Sequence, residues 1–338
     1  MIPGGWRTPG LAKLSHAAGH LVAALLLGGS PALQAAEPAA NPAQSLEAVV
    51  ALRAEIPAEA RTARLLGTNR HGSGVVIDDG GLIVTIGYLI TEAMAAEVTA
   101  SGKTSRADVV GFDTESGLGL LRAAEPLPVK PLPIGTAQGL AERTPVIIAG
   151  HGGAAAAQPA VVVSRRTFSG YWEYLLEDAI FTVPPHPAWS GAALIAPNGK
   201  LAGVGSLIVG DAADGAPGNM FVPIDRLGPV MGDLIALGRP AASRPWIGAN
   251  LQAADGELVV RRVAPDGPAE TAGLRPGDRV IAMDGSQIRD LADFYRALWG
   301  RGDAGITVKL TVNRDGEQHE IAVKTIDRYR YLRLGTTY

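Results

Sequence analysis

The sequence predicts a mainly β protein of about two domains, and three observations lead to that prediction. Short apolar runs recur along the chain between turn residues, with 43 glycines and 24 prolines among the 338 residues. Strands of this length and spacing favour a barrel or a sandwich over alternating strand–helix units. A stretch rich in Arg, Pro and Ala at residues 239–245 has the composition of a linker, and the pattern changes after it.

The composition excludes several classes of function. Hydrophobic residues make up 47% of the chain and charged residues 19%, which is enough apolar material for a sizeable core. The formal net charge of −3 gives no electrostatic basis for binding nucleic acid. The absence of cysteine excludes disulfides and thiolate chemistry, and no H-E-x-x-H motif or Cys/His cluster predicts a bound metal. We therefore expect no metal and no cofactor.

Residues 1–36 have the pattern of a signal peptide. Arg7 and Lys13 supply a positive region, residues 17–28 an apolar core, and residues 29–36 a segment of small residues at the cleavage site. The apolar core is shorter than the ~20 residues that a membrane-spanning helix needs. We therefore expect cleavage and export to a bacterial periplasm, where a chain without disulfides is acceptable. The alternative is an uncleaved signal that anchors the protein to the inner membrane.

The first half of the chain contains a predicted N-terminal segment at 37–64, with a helix over 45–64, and then strands. Residues 72–85 form a predicted hairpin, because two apolar runs flank Asp-Asp-Gly-Gly. A helix over 227–237 is predicted to close the domain, which ends at residue 238. Further strands are predicted at Ala107–Phe112, Leu118–Ala123, Pro145–Ala149, Ala160–Ser164, Ala179–Val183, Ala192–Ile195 and Leu201–Val209.

After the linker, the most specific motif is Gly-Pro-Ala at 267–269 followed by Ala-Gly-Leu-Arg-Pro-Gly-Asp at 272–278 and Val-Ile-Ala-Met-Asp-Gly at 280–285. A helix is predicted over 290–299, followed by strands over 306–314 and 318–325. This unit resembles the PDZ domain of the HtrA/DegP family of exported serine proteases. The resemblance extends over residues 65–327. It implies a trypsin-like double β-barrel at 65–238 and a PDZ domain, a β-sandwich-like fold with helices, at 246–327.

The resemblance also implies a peptide-binding loop at Trp246, Ile247, Gly248 and Ala249. Backbone amides of this loop would receive the C-terminal carboxylate of a peptide, which would add as a strand beside the helix at 290–299. A PDZ domain that only packs against its own barrel or a sister subunit is the alternative.

The same resemblance places the catalytic positions of the barrel, and two of the three are substituted. Ser190 occupies the nucleophile position within Ala-Trp-Ser-Gly-Ala-Ala-Leu at 188–194. Tyr88 stands where the catalytic histidine is expected, and Gly117 stands where the aspartate is expected. A tyrosine phenol, with a pKa near ~10, keeps its proton at neutral pH and is a poor general base. Gly117 has no carboxylate to orient an imidazole.

The oxyanion loop, formed by Ala188, Trp189 and Ser190, is altered as well. Ala188 replaces a glycine, so the loop amide is expected to turn away if that position requires a positive φ. Trp189 replaces a small polar residue and either fills the substrate cleft or packs in the second barrel.

Other residues could in principle replace the missing base. His186 and His151 lie on loops that neighbour Ser190, and Asp113 and Glu115 lie close in sequence to the lost aspartate. The tail at 328–338 alternates aromatic and basic residues, which suits an extra strand, an interaction segment or a weak membrane contact. A strand edge packed on its own domain is the preferred interpretation.

These features predict a periplasmic HtrA-like protein that is catalytically impaired and binds exposed C-termini or extended segments through its PDZ domain in protein quality control. The barrel would serve as a scaffold, and the family implies a homotrimer. Two alternatives remain: an active serine endopeptidase that uses Ser190 with a non-standard base, and an inhibitory subunit of a sister protease. No nucleic-acid partner is expected, and membrane contact only through an uncleaved signal.

Overall fold

A computed structural model of the chain describes residues 46–254 and 256–332. Residues 49–223 contain two closed β-barrels of six antiparallel strands each. The predicted signal at 1–36 lies outside the described residues. Within those residues, no helix has the length and apolar character needed to cross a membrane.

The first barrel has the strand order β1-β2-β3-β6-β5-β4, and β1 closes it by pairing with both β2 and β4. A short helix, α1 (Ala63–Leu66), lies between β1 and β2. The strands are β1 (Val49–Glu55), β2 (Asn69–Val76), β3 (Leu82–Ile86), β4 (Ala95–Ala100), β5 (Lys103–Phe112) and β6 (Leu118–Ala123).

The second barrel has the order β10-β11-β12-β9-β8-β7 and is followed by helix α2 (Gly228–Leu237). Its longest hairpin is formed by β8 and β9, which stay paired up to Gly170 and Tyr174. The strands are β7 (Pro145–Ala149), β8 (Ala157–Gly170), β9 (Tyr174–Val183), β10 (Ala193–Ile195), β11 (Leu201–Ala213) and β12 (Ala216–Pro223).

The C-terminal domain, predicted to be a PDZ domain, contains a six-stranded antiparallel sheet and the amphipathic helix α4 (Leu291–Trp299). Asp290 caps this helix by accepting a hydrogen bond from the Asp293 N–H at 2.8 Å. The other elements are β13 (Pro245–Trp246), β14 (Ala249–Ala254), β15 (Glu257–Val263), α3 (Pro268–Thr271), β16 (Arg279–Met283), β17 (Ser286–Gln287), β18 (Thr307–Arg314), β19 (Glu317–Lys324), β20 (Ile326–Asp327) and α5 (Arg328–Tyr331).

The mainly β fold class is confirmed, but one predicted helix is wrong. Residues 49–55 form strand β1, so the first barrel begins before residue 65. Alanine, leucine, arginine and glutamate in this run favour a helix locally, and pairing with strands on both sides outweighs that preference. The strands β4 and β12 have no counterpart among the sequence-based predictions.

The end of the described chain forms a strap between the PDZ domain and the first barrel, rather than a further strand. After β20, helix α5 places Tyr329 against the barrel. The Tyr329 hydroxyl donates to the Phe112 carbonyl oxygen at 2.8 Å and accepts from the Thr114 N–H at 3.0 Å. Tyr331 packs on Trp246, with ring centroids 4.6 Å apart. The barrels and the PDZ domain belong to one compact unit.

Candidate functional site

The Ser190 loop lies where the two barrels meet. The Ser190 carbonyl oxygen accepts a hydrogen bond from the Ser73 N–H of β2 at 2.8 Å. Gly191 follows with φ +74°, and a Cβ atom there would lie 1.9 Å from the Ser73 carbonyl oxygen. Only glycine fits this conformation and this close approach. The backbone that presents Ser190 is therefore fixed by strands of the first barrel.

Tyr88 contacts Ser190 directly. It lies in the single 3-10 turn that follows β3, and its hydroxyl oxygen is 2.8 Å from Ser190 Oγ and 2.9 Å from the Ser206 carbonyl oxygen. A phenol carries one proton, and a carbonyl oxygen only accepts. Both contacts are satisfied together when Tyr88 donates to Ser206 and accepts the proton of Ser190.

The protonation of Tyr88 follows from its environment. Burial raises the pKa of the phenol well above its usual value of 10.0, and the hydrogen bond with Ser190 opposes this only in part. Tyr88 therefore keeps its proton at neutral pH and does not remove the proton of Ser190. The position expected to hold a catalytic base holds a neutral hydrogen-bonding partner instead.

Gly117 lies in a turn where a side chain would be both strained and crowded. Its φ is +80°, and a Cβ atom there would lie 3.3 Å from Cε2 and 3.4 Å from the hydroxyl oxygen of Tyr174. The Tyr174 hydroxyl donates to the Ser116 carbonyl oxygen at 2.7 Å, which holds the ring over this turn. The buried Tyr174 ring thus covers the place where an aspartate side chain would begin.

The oxyanion loop has one of its amides turned inward. The Ala188 N–H donates to Nδ1 of His186 at 3.1 Å. His186 is buried, and its Nε2 lies 3.2 Å from the Ala156 carbonyl oxygen, so the ring accepts through Nδ1 and donates through Nε2. Burial lowers the pKa of His186 and favours this neutral form. The Ala188 N–H, which is expected to donate to an oxyanion, is hydrogen-bonded to this histidine instead.

The other suggested replacements for the base are also engaged elsewhere. His151 Nδ1 lies 3.1 Å from Ser73 Oγ. Asp113 accepts the backbone N–H groups of Glu115 and Ser116, each at 2.9 Å, and is part of a tight turn. Glu115 pairs with Arg244 at 2.8 Å, at the junction with the PDZ domain. Within residues 46–254 and 256–332, the side chain that forms a hydrogen bond with Ser190 Oγ is that of Tyr88.

An open cleft of about 430 Å³ leads to Ser190. Trp189 is half-buried and lines this cleft, with its ring 6.4 Å from that of Tyr88. Trp189 therefore lies at the cleft and not in the core of the second barrel, and it leaves the cleft open instead of filling it. No group of three His, Asp or Glu side chains suitable for a metal is found in the described part of the chain.

The PDZ loop holds a carboxylate from the protein's own barrel. Glu173, at the tip of the β8–β9 hairpin, accepts hydrogen bonds from three consecutive N–H groups. Its Oε1 atom is 2.6 Å from the Gly248 nitrogen and 3.0 Å from the Ala249 nitrogen, and its Oε2 atom is 3.1 Å from the Ile247 nitrogen. Trp246, the first residue of the predicted loop, lies in β13 and packs on Tyr331 instead.

The contacts around Glu173 extend along the hairpin into the PDZ domain. Leu175, two residues later, is buried in the apolar core of that domain. Tyr295 of α4 donates to the Gly170 carbonyl oxygen at 2.8 Å and accepts from the Glu173 N–H at 3.1 Å. Arg296, the next residue of α4, forms a two-pronged ion pair with Glu177, with both distances 2.9 Å. The hairpin therefore lies against the loop and α4 together.

Glu173 is almost fully buried, with 4% of its surface exposed. Burial raises its pKa to about 7, while the three N–H groups and the charge of Arg328 favour the ionised form. Sequence reasoning did not identify this residue. The one local signal is an acidic side chain between aromatic residues, Tyr-Trp-Glu-Tyr at 171–174, within an apolar hairpin.

Comparison with protein families gives two matches. Residues 72–204 match the trypsin-like peptidase domain, and residues 245–325 match the PDZ domain. The chain is 27% identical over 292 residues to a Do-like HtrA serine protease of Lactobacillus helveticus, covering 77% of this chain and 69% of that protein. It is 29% identical over 276 residues to a DegP-like periplasmic serine endoprotease of Halomonas elongata, covering 76% and 56%.

Solved structures show the same architecture. The HtrA-type protease AlgW with a decapeptide superposes with a TM-score of 0.53 at 21% identity, covering 87% of this chain and 99% of that one. A serine endoprotease from Yersinia pestis gives a TM-score of 0.51 at 22% identity, covering 85% and 98%. Paired barrels with a serine loop between them define the trypsin-like class. Together with the sequence matches, they show a trypsin-like peptidase domain followed by a PDZ domain, similar in sequence and fold to the HtrA/DegP serine proteases.

Proposed function

We propose that this protein is a catalytically silent HtrA homologue that works by binding, with its PDZ loop as a receptor for peptide carboxylates. The contact of 2.8 Å between Tyr88 and Ser190 carries the first half of the proposal. Because the phenol stays protonated, Ser190 has no base, and in serine proteases the loss of the base lowers turnover by a factor on the order of 10⁶. The inward Ala188 amide weakens the oxyanion site in addition.

The binding half of the proposal rests on the chemistry of the PDZ loop. The N–H groups of Ile247, Gly248 and Ala249 converge on one carboxylate, which is the arrangement that receives the C-terminus of a peptide. The related protease AlgW has been solved with a decapeptide, which fits such a role. An exported, periplasmic protein is proposed from the names of the relatives and the pattern of residues 1–36. A homotrimer is proposed from the family, and light scattering that gives a monomer would contradict it.

The catalytic half is tested with purified protein, a fluorophosphonate probe and a casein-cleavage assay. We expect no labelling or cleavage above the level of the Ser190→Ala variant, with an active trypsin-like protease as the positive control. Labelling that depends on Ser190 would overturn catalytic silence. It would support the alternative in which Ser190 works with a non-standard base.

A further inference from the structure

The PDZ loop already contains a ligand, and that ligand belongs to the same chain. The carboxylate of Glu173 accepts all three loop N–H groups at 2.6–3.1 Å. A glutamate side chain and a peptide C-terminus present the same carboxylate group. The two therefore compete for the same three donors and cannot occupy them together.

Further contacts hold the hairpin against the PDZ domain beside this carboxylate. Leu175 supplies an apolar side chain to the PDZ core. Tyr295 holds the hairpin backbone at two points, with distances of 2.8 and 3.1 Å. The carboxylate, the apolar side chain and the backbone contacts all come from one continuous stretch of the second barrel, and together they reach the loop, α4 and the apolar core of the PDZ domain.

The backbone of Glu173 has a conformation that glycine adopts more readily than glutamate. Its φ is +57°, in the left-handed region that favours glycine. A hairpin that needed only to turn would be served better by glycine at this position. The glutamate is held there by its hydrogen bonds within the PDZ domain.

We propose that residues 170–177 are an internal ligand that closes the PDZ domain, and that an incoming C-terminal peptide binds by displacing Glu173 from Ile247, Gly248 and Ala249. This inference rests on the proposed function of the loop as a carboxylate receptor. The covalent link gives the internal carboxylate a high effective concentration, so free peptides bind weakly to the closed form. The apparent affinity for peptide falls with the fraction of molecules that are open.

The first arm of the test examines the loop without peptide. Hydrogen exchange of the Ile247, Gly248 and Ala249 amides is measured in the full chain, in Glu173→Gly and in Glu173→Gln. Glycine suits the backbone at this position while removing the carboxylate. We expect faster exchange of these amides in Glu173→Gly, with a smaller change in Glu173→Gln, whose amide oxygen still accepts. The control Glu257→Gln removes an exposed carboxylate elsewhere on the PDZ domain and should leave the exchange unchanged.

The second arm measures binding of two fluorescent pools of short peptides with randomised ends, one with free C-terminal carboxylates and one amidated. We expect Glu173→Gly to bind the carboxylate pool about tenfold or more tightly than the natural protein, and neither to bind the amidated pool. Equal binding of the carboxylate pool by both proteins, or unchanged exchange in Glu173→Gly, would overturn the internal-ligand proposal. Binding of neither pool by either protein would instead overturn peptide capture itself, and with it the displacement. Circular dichroism verifies that each variant is folded.

Discussion

The hydroxyl oxygen of Tyr88 and the Oγ atom of Ser190 are 2.8 Å apart, and the carbonyl oxygen of Ser206 lies 2.9 Å from the same phenol. These two contacts orient the serine proton toward tyrosine. In the proposed function, they explain why Ser190 lacks an activating base. In the proposed function, substitutions at more than one position would be needed to give proteolytic activity.

We predict that Tyr88→His alone does not restore proteolysis. An imidazole at 88 would lack a carboxylate partner at Gly117, and the loss of that partner in a serine protease lowers turnover by roughly 10⁴. The Ala188 amide would still donate to His186. Fluorophosphonate labelling of Tyr88→His should stay near the level of the Ser190→Ala variant. Strong labelling would show that the oxyanion site is functional and that the aspartate is dispensable.

Replacing Gly117 by aspartate should destabilise the first barrel by about 1–3 kcal/mol. The new side chain would combine a φ of +80° with a contact of 3.3 Å to the Tyr174 ring. Gly139→Asp is the matched control, because Gly139 has a φ of +85° with no atom within 4 Å of its Cβ position. Thermal unfolding of both variants separates backbone strain from crowding. Equal losses would argue against crowding by Tyr174.

Stability of the second barrel should fall as the pH drops below the ordinary pKa of histidine, near 6.5. Burial lowers the pKa of His186, so its contribution is present above pH 6.5 and is lost as the pH falls through the lowered value. Protonated Nδ1 would also face the Ala188 N–H donor. The melting temperature is compared at about pH 7.5 and about pH 5.5 in the natural protein and in His186→Gln. A variant that retains the full pH dependence would assign it to another group.

Docking of the PDZ domain on the barrel should respond to pH in the opposite direction. The pKa of Glu173 is raised to about 7, and so is that of Glu115, in both cases chiefly by burial. A raised pKa means that docking is strongest below the ordinary value of 4.5 and weakens as the pH rises through about 7. The charge of Arg328 lowers the pKa of Glu173 in part, and Tyr295 lies close to the same carboxylate. The charge of Arg244 lowers the pKa of Glu115, and that of Asp113 raises it.

Protease sensitivity of the linker at 239–244 reports this docking. Cleavage should be faster at about pH 8 than at about pH 5.5, after correction for the protease's own pH dependence. Glu173→Gln and Glu115→Gln should each remove part of the difference. A difference that survives in the double variant would point to groups outside this junction.

The strap formed by the end of the chain should contribute measurably to docking. Tyr329→Phe leaves the Phe112 carbonyl oxygen and the Thr114 N–H without their partner, at a cost of about 1–3 kcal/mol. Tyr331→Phe is a matched control, because its hydroxyl donates to Pro265 at 3.0 Å in an exposed position. Chemical unfolding should show the larger loss for Tyr329→Phe. Equal losses of unfolding free energy would mean that the buried contact of Tyr329 contributes no more than the exposed contact of Tyr331.

Local patterns were sufficient for much of the fold. Strands Leu118–Ala123 and Pro145–Ala149 have the predicted bounds, because each is a short apolar run bordered by turn residues. Strand Val49–Glu55 was missed because its residues favour a helix, and its partners in the barrel lie elsewhere in the sequence. Local pattern reasoning detects a strand by composition and cannot detect closure of a barrel.

The residues of the candidate site also divide into those that local patterns could locate and those that they could not. Tyr88 was located by its place after strand Leu82–Ile86, within a recognisable motif. Glu173 belongs to no motif, and its hydrogen bonds reach residues more than seventy positions away in sequence. The long-range contact is created by the length of the β8–β9 hairpin and the placement of the PDZ domain, and neither can be read from neighbouring residues.

The loop around Ser190 also holds the two barrels together. Ser73 donates to its carbonyl oxygen, and the backbone at Gly191 is so close to Ser73 that no side chain fits. These contacts do not involve the Ser190 side chain, so the loop would hold the two barrels together with or without catalysis. A serine followed by glycine in this setting therefore contributes to the packing of the two barrels, independently of any catalytic role of the serine.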